Sequence, residues 1–130
     1  IMKTLEKEII VTKNDLDHLN HVNNIVYIEW ILSIAKDHWR NLVSNEILKN
    51  YYWVLLEHNI KYLLPTILND KLRLSTYVEK TELVKSHRIV NIYNSSTNKL
   101  IAISKTQWCL INAKTNKPSR IPVEIRSAFN

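Results

Sequence analysis

One run of residues, 25–39, restricts most strongly what this chain can fold into. The polar residues at 29, 33, 36, 37 and 40 form only a narrow stripe along the predicted helix. The remaining positions are filled largely by apolar side chains at helical spacing: Ile25, Tyr27, Ile28, Trp30, Ile31, Leu32, Ile34, Ala35 and Trp39. A helix that is apolar around most of its circumference must be covered by other elements. We therefore predict a wrapped helix over about 24–40, roughly 25 Å long, with Asn23 or Asn24 as its N-cap.

The rest of the chain changes to the period of two that is typical of strands. Residues 5–13 are rich in β-branched side chains and predict a first strand. Residues 53–64 carry apolar side chains at the even positions, interrupted by His58, and residues 71–82 alternate likewise. Further strands are predicted at 86–93 and 100–112, with a short helical segment at about 44–50. This order predicts an α+β fold in which an antiparallel sheet wraps around one helix.

The turns of this chain have to form without glycine, because the sequence contains none. Asparagine is the best substitute where a turn needs a positive φ angle, and the chain holds fifteen asparagines. We expect such turns at Asn20, Asn69, Asn94, Asn98 and Asn116.

Length and composition indicate one globular domain over residues 1–130, with 45% apolar and 23% charged residues. Cys109 is the single cysteine, which excludes an internal disulfide and fits a reducing compartment. Its place in an apolar strand predicts a packed thiol. No stretch approaches the ~18 apolar residues that a membrane span needs, and the first residues lack a signal-peptide core. We expect a cytoplasmic protein without a membrane partner.

The charge is divided unevenly along the chain. Residues 1–60 carry a net −2, whereas residues 61–130 carry a net +8. A solvated basic face is one explanation, and an anionic partner, such as a phosphorylated cofactor or an acidic carrier protein, is the other. Within "KSHR", 85–88, Lys85 and Arg88 are candidates for phosphate contacts, with a solvated hairpin as the alternative. Nucleic acid is not expected, because basic and aromatic residues do not interleave.

The most polar stretch, "DLDHLNHVNN" at 15–24, directly precedes the predicted helix. A carboxylate such as Asp17 can act as a base or a nucleophile. Free N–H groups at a helix N-terminus can hold an oxyanion. As an alternative, Asp17 only forms a turn. Asp17 with His18 and His21 suggests a metal site, but no second ligand cluster supports it, so we expect none.

The stretch "DLDHLNHVNNIVYIEWIL" resembles the signature of hotdog-fold thioesterases, particularly the acyl-ACP and 4-hydroxybenzoyl-CoA thioesterase branches. Two later segments, "HNIKYLLPTILNDKL" and "TQWCLINAKTNKPSRIP", are similar to later parts of the family pattern, so the likeness covers about residues 5–129. The resemblance implies a five-stranded antiparallel sheet around one long central helix. It also implies hydrolysis of acyl thioesters and a homo-oligomer, either a dimer or a dimer of dimers.

The resemblance also assigns roles to individual residues. Asp17 matches the catalytic carboxylate, His21 matches a histidine of the acyl-ACP branch, and Asn24 stands where a backbone N–H polarises the thioester carbonyl. Leu19 and Pro65 stand where the acyl-ACP branch has an asparagine and a glutamate, which favours an Asp-centred mechanism. The substrate-binding candidates, each with a cap, core or surface role as its alternative, are Asn23, Tyr27, His58, Lys85 and Arg88.

The sequence therefore predicts a thioesterase of fatty acid metabolism that releases a carboxylic acid and a free thiol from acyl-CoA or, less favoured, acyl-ACP. It requires no cofactor beyond the CoA or phosphopantetheine of its substrate. Asp17 as nucleophile and Asp17 as general base both remain open. The alternatives are a non-catalytic module that binds acyl thioesters and a hotdog dehydratase.

Overall fold

The structure, a computed structural model, describes residues 2–130. Its helices are α1 (Asn24–Leu42), α2 (Asn45–Asn50) and α3 (Val123–Ala128). Its strands are β1 (Thr4–Ile10), β2 (Tyr51–Tyr62), β3 (Lys71–Thr81), β4 (Lys85–Asn94), β5 (Leu100–Asn112) and the two-residue β6 (Lys117–Pro118). A 3-10 turn at Lys13–Asp15 follows β1.

The strands form one antiparallel sheet in the order β1-β3-β4-β5-β2, with β6 paired to β5. The alternation predicted for 71–82 is confirmed, because Leu72, Leu74, Thr76 and Val78 are all buried on one face of β3. This face and its neighbours on β4 and β5 pack against α1. The predicted α+β fold, a five-stranded antiparallel sheet around one long helix, is confirmed.

Helix α1 begins where the sequence predicts and ends two residues later than expected, at Leu42. Its N-cap is Asn23, whose side chain accepts a hydrogen bond from Ile25 N at 3.1 Å. The buried residues of the helix lie three or four positions apart: Tyr27, Ile31, Ile34, Ala35 and His38. This spacing defines one helix face, and that face covers the sheet.

Strand β1 ends at Ile10, three residues before the predicted end. Thr12 N donates to Asp15 Oδ2 at 2.8 Å, and the Thr12 hydroxyl contacts the same oxygen at 3.1 Å. This local capping arrangement starts a turn directly after Val11. The β-branched Val11 and Thr12 made the sequence look like a longer strand.

Strand β2 contains a bulge at Leu56, between the paired residues Leu55 and Glu57. An extra residue shifts side-chain alternation by one position. The predicted apolar face at the even positions is therefore wrong before the bulge, where Val54 and Leu56 are 42% and 50% exposed. In this half it is Tyr51 and Trp53 that pack against the core. Beyond the bulge Ile60 faces the core as predicted, whereas Tyr62 and Leu64 are 44% and 41% exposed.

Asparagine makes the turns, as the absence of glycine predicts. Asn20, Asn69, Asn98 and Asn116 adopt φ angles of 62°, 71°, 59° and 56°. Asn94 was expected to do the same, and this is wrong. Its Oδ1 instead accepts hydrogen bonds from Ser96 N and Thr97 N at 2.9 and 3.2 Å, so the side chain closes the turn without a positive φ.

A polar cluster lies between α1 and the sheet. His38 and Arg88 are only 3% and 5% exposed. Arg88 Nη1 donates to Thr76 Oγ1 at 3.0 Å and contacts His38 Nδ1 at 2.8 Å. A guanidinium group can only donate, so Nδ1 accepts and the imidazole proton sits on Nε2. Burial, and then the charge of Arg88, lowers the pKa of His38 to about 4.

Two further features of residues 2–130 concern the cysteine and the length of the helices. Cys109 is buried, as predicted for a packed thiol. Within residues 2–130, no helix is long and apolar enough to cross a membrane.

Replacing His38 by glutamine tests the buried cluster. The folded-state pKa of His38 is about 4, against an ordinary value of 6.5. Between these values the unfolded chain takes up a proton that the folded chain does not, so stability falls as the pH is lowered. We therefore expect the free energy of unfolding of the wild type to fall by about 2 kcal/mol between pH 7 and pH 5 because of His38. Urea unfolding at both pH values should reveal this loss in the wild type and its absence in His38→Gln.

The matched control is His18→Gln, since His18 is exposed. It should keep the wild-type pH dependence. An identical pH dependence in the wild type and His38→Gln would contradict the lowered pKa of the buried His38.

Candidate active site

The loop that precedes α1 is held by backbone hydrogen bonds. Asp17 N donates to His21 O at 2.8 Å, and Asn23 N donates to Asp15 O at 2.8 Å. Val22 N donates to Thr66 O at 3.0 Å, which ties the loop to the segment after β2. The chain therefore reverses direction between Asp17 and His21 in a fixed conformation.

Asp17 has a structural role in this reversal. Its Oδ1 accepts hydrogen bonds from Leu19 N at 2.8 Å and His21 N at 3.3 Å. The bond from Leu19 N is the main reason that the pKa of Asp17 lies below its ordinary value. The carboxylate is therefore charged at neutral pH. Within residues 2–130 its Oδ2 has no hydrogen-bond partner, which leaves one oxygen available for other contacts.

The N-terminus of α1 offers one free donor. Ile25 N is bound by the side chain of Asn23, and Val26 N donates to Asn23 O at 2.9 Å. Asn24 N has no acceptor among residues 2–130. This N–H lies at the positive end of the helix dipole, where negative charge is stabilised. It can therefore donate a hydrogen bond to an oxyanion.

The two histidines of the loop, His18 and His21, are exposed. In the part of the chain that the structure describes, no three His, Cys, Asp or Glu side chains group as metal ligands. His21 contacts Asp17 through its backbone N–H, which makes it a neighbour of the carboxylate.

Tyr27 holds the first turn of α1 against the segment after β2. Its hydroxyl is hydrogen-bonded to Thr66 Oγ1 in the interior, and its ring meets those of Trp30 and Tyr62 edge-on, at centroid distances of 5.6 and 5.3 Å. Burial raises the pKa of Tyr27. Thr66 also accepts from Val22 N, so it links the loop to the helix. Nothing in the sequence around Thr66 signals this role.

His58 lies on β2 and is half-buried. Its Nε2 contacts Ser104 Oγ at 2.9 Å, and burial lowers its pKa. This is the contact expected of a core histidine. Among the described residues, no hydrogen bond connects His58 to the loop 15–24.

Lys85 and Arg88, the two candidates for phosphate contacts, lie on opposite faces of β4. The two residues are three positions apart on β4, whose pairing with β5 is regular there, and side chains at odd spacing point to opposite faces of a strand. Arg88 points inward to His38 and Thr76. His38 is not singled out by the sequence pattern, although its spacing from Ile31 and Ile34 places it on the buried face of α1.

Two cavities of the protein lie away from this loop. One, of about 510 Å³, is formed between the second half of α1 and the sheet, and the other, of about 470 Å³, lies over β2, β4 and β5. Neither is bordered by Asp17, His21 or Asn24. The loop instead lies at the surface beside the exposed side chains of Leu19 and Ile25.

The fold of this chain is similar to those of several solved structures. The probable thioesterase YbaW from Escherichia coli is 24% identical, with a TM-score of 0.86 over 95% of this chain and 94% of that chain. A 1,4-dihydroxy-2-naphthoyl-CoA thioesterase from Synechocystis is 16% identical, with a TM-score of 0.84 over 98% and 96%. A hypothetical protein from Staphylococcus aureus in complex with CoA is 18% identical, with a TM-score of 0.84 over 98% and 82%.

A search of curated protein sequences finds no match. The family model of the thioesterase-like superfamily matches residues 11–129, which confirms the family resemblance predicted from the motif before α1. Since this match spans nearly the whole chain, the protein belongs to the thioesterase-like superfamily.

Proposed function

We propose that this protein hydrolyses acyl-CoA, with acyl-ACP as the less favoured substrate. The observation that carries the proposal is the free N–H of Asn24 at the start of α1, close along a fixed loop to the charged carboxylate of Asp17. Family membership supports thioester hydrolysis in general. These two groups provide what the reaction needs, a base or nucleophile and a donor for the oxyanion.

In the proposed reaction the thioester carbonyl oxygen accepts from Asn24 N. Asp17 either removes a proton from a water molecule that attacks the carbonyl carbon, or attacks that carbon itself to form an anhydride that water then hydrolyses. The C–S bond breaks and the thiolate leaves. Its conjugate acid has a pKa near ~8.5, so the leaving group needs little help from an acid. No cofactor beyond the CoA or phosphopantetheine of the substrate takes part.

One observation favours CoA as the carrier. The likeness to a Staphylococcus aureus protein in complex with CoA supports a substrate of this type. Residues 61–130 carry a net +8, which would attract either the CoA phosphates or an acidic carrier protein. Lys85 remains a candidate for such a contact, whereas Arg88, turned inward, does not.

We further propose a dimer that forms along β2. The sheet has two edges, β1 and β2. Charged side chains protect β1, where Glu6, Lys7 and Glu8 follow one another. The edge of β2 instead exposes Tyr52, Val54 and Leu56. An apolar edge with unpaired backbone groups favours pairing with a second copy.

The position of the loop 15–24 also favours a dimer. In one chain the loop borders neither cavity and its apolar side chains at Leu19 and Ile25 are exposed. A second chain would supply the missing wall of an acyl pocket. The substrate would then bind between subunits, with phosphate contacts from the basic half of the partner.

A non-catalytic module that binds acyl thioesters is the second candidate function. The observation that favours it is the pair of backbone hydrogen bonds accepted by Asp17 Oδ1, since a purely structural turn residue makes the same bonds. Release of free thiol from acyl-CoA distinguishes the two candidates.

The substitution Asp17→Asn tests the catalytic assignment. Asparagine keeps Oδ1 as an acceptor for Leu19 N and His21 N but removes the charge. We expect turnover of acyl-CoA to fall by at least ~100-fold, with a nearly unchanged melting temperature. Thiol release with a colorimetric reagent measures the rate.

Asp15→Asn is the matched control, because Asp15 also accepts local hydrogen bonds, from Thr12. It should leave turnover per folded molecule unchanged. Equal turnover in Asp17→Asn and the wild type would exclude Asp17 from the chemistry.

The substitution His21→Ala tests the supporting role of this residue. His21 holds Asp17 Oδ1 through its backbone N–H, a contact that alanine keeps. We expect the thiol-release rate to fall by about tenfold or less, well short of the loss in Asp17→Asn. A loss as large as that of Asp17→Asn would instead make the imidazole a principal catalytic group.

The substitution Val54→Glu tests the dimer. Two copies that pair along β2 would bring this new charge into an apolar interface. We expect the wild type to sediment at twice the monomer mass of 15.4 kDa and Val54→Glu to shift toward the monomer and lose activity. Leu83→Glu, at an exposed leucine outside β2, should remain dimeric and active. A fully active wild-type monomer would refute both the dimer and the shared site.

A further inference from the structure

The cavity of about 510 Å³ between the second half of α1 and the sheet has largely aromatic walls. Trp39 meets Trp53 edge-on at a centroid distance of 5.5 Å, and Phe129 lies 6.2 Å from each of them. Trp108 and Tyr51 border the same space. Its volume lies within the ~300–1,000 Å³ of typical small-molecule sites, and its walls suit an apolar or aromatic group.

The charged side chains around this cavity are all positive. Lys36, Arg40 and Arg88 border it, and no aspartate or glutamate does. Arg88 has no carboxylate within 4.0 Å among residues 2–130. Burial lowers its pKa to about 10, so the guanidinium stays charged at neutral pH. A cation is thus held in the interior without a counter-ion, an arrangement that costs stability.

Within the described residues, only one of the three nitrogens of the Arg88 guanidinium makes hydrogen bonds. Nη1 is engaged with His38 Nδ1 and Thr76 Oγ1, whereas Nε and Nη2 have no hydrogen-bond partner in residues 2–130. Neither atom is among the fully enclosed polar atoms without a partner, and Arg88 lines both cavities, so each atom retains access to open space. The Nε–Nη2 edge presents two parallel N–H groups, which match the two oxygens of a carboxylate.

His38 fixes the orientation of this edge. Its neutral ring accepts from Nη1, and its pKa of about 4 keeps it neutral at physiological pH. A protonated His38 would instead repel the guanidinium. The buried pair therefore holds Arg88 with its free edge available.

We propose that this cavity binds an apolar carboxylic acid as its carboxylate, paired with the Nε–Nη2 edge of Arg88, with the apolar body among Trp39, Trp53 and Phe129. The carboxylate supplies the counter-ion that the protein lacks. An aromatic acid fits the walls best, because its ring can pack against the indoles. The site is separate from the loop 15–24 and does not depend on the proposed hydrolysis.

The test is calorimetric titration of the full chain with 2-naphthoate and with 2-naphthalenemethanol, a neutral analogue of similar shape. We expect the carboxylate to bind at least about tenfold more tightly than the alcohol, in keeping with a charge-assisted bidentate pair. Arg88→Met should remove this advantage while the alcohol binds as before. Equal affinity for the two ligands, or an Arg88→Met protein that keeps wild-type affinity for the carboxylate, would overturn the proposal.

Three further variants make the result specific. Arg73→Met is the matched control, since Arg73 stacks on Tyr93 and borders neither cavity, and it should bind 2-naphthoate normally. Ala35→Leu adds volume at the cavity wall and should weaken the binding of both ligands with Arg88 in place. This variant therefore tests whether the ligands bind in the cavity even if Arg88→Met fails to fold. Asp17→Asn should bind 2-naphthoate normally, so the outcome is independent of the hydrolase proposal. Displacement of 2-naphthoate by an equal concentration of inorganic phosphate would overturn the preference for an apolar acid.

Discussion

The packing of α1 against the inner face of the sheet is the interaction on which the other features depend. The buried residues of α1, from Tyr27 to His38, cover rows of apolar side chains on β3, β4 and β5. With the helix held along the sheet, its N-terminus emerges beside the loop 15–24. Its second half leaves a cavity against the aromatic residues near Trp53. The candidate active site and the carboxylate site thus lie toward opposite ends of one helix.

The sequence predicts the fold because its periodicities are strong and agree with one another. A helix apolar on most sides requires a cover, and strands with a period of two provide it. Asn23 as the N-cap and four of the five asparagine turns follow from local backbone chemistry. The motif before α1 points to Asp17 and Asn24. It cannot specify which oxygen or N–H is free, because that depends on contacts such as those made by Leu19 N.

Other features could not be predicted, since tertiary contacts decide them. The bulge at Leu56 depends on pairing with β5, and without it the apolar pattern of β2 suggests the wrong inward face. Arg88 looked like a surface residue because it stands in a basic segment. Its inward orientation follows from strand alternation together with acceptors on His38 and Thr76, which are distant in sequence. A local pattern carries no information about such partners.

The asparagine turns also affect the unfolded protein. Glycine gives an unfolded chain its greatest conformational freedom, so each glycine raises the entropy that folding must overcome, by about 0.4–1 kcal/mol relative to alanine. This chain has no glycine, and it accepts the left-handed conformation at Asn20, Asn69, Asn98 and Asn116 instead. The strain of these four turns in the folded state is thereby offset by a denatured ensemble with fewer accessible conformations. The absence of glycine therefore favours the folded state by restricting the unfolded chain.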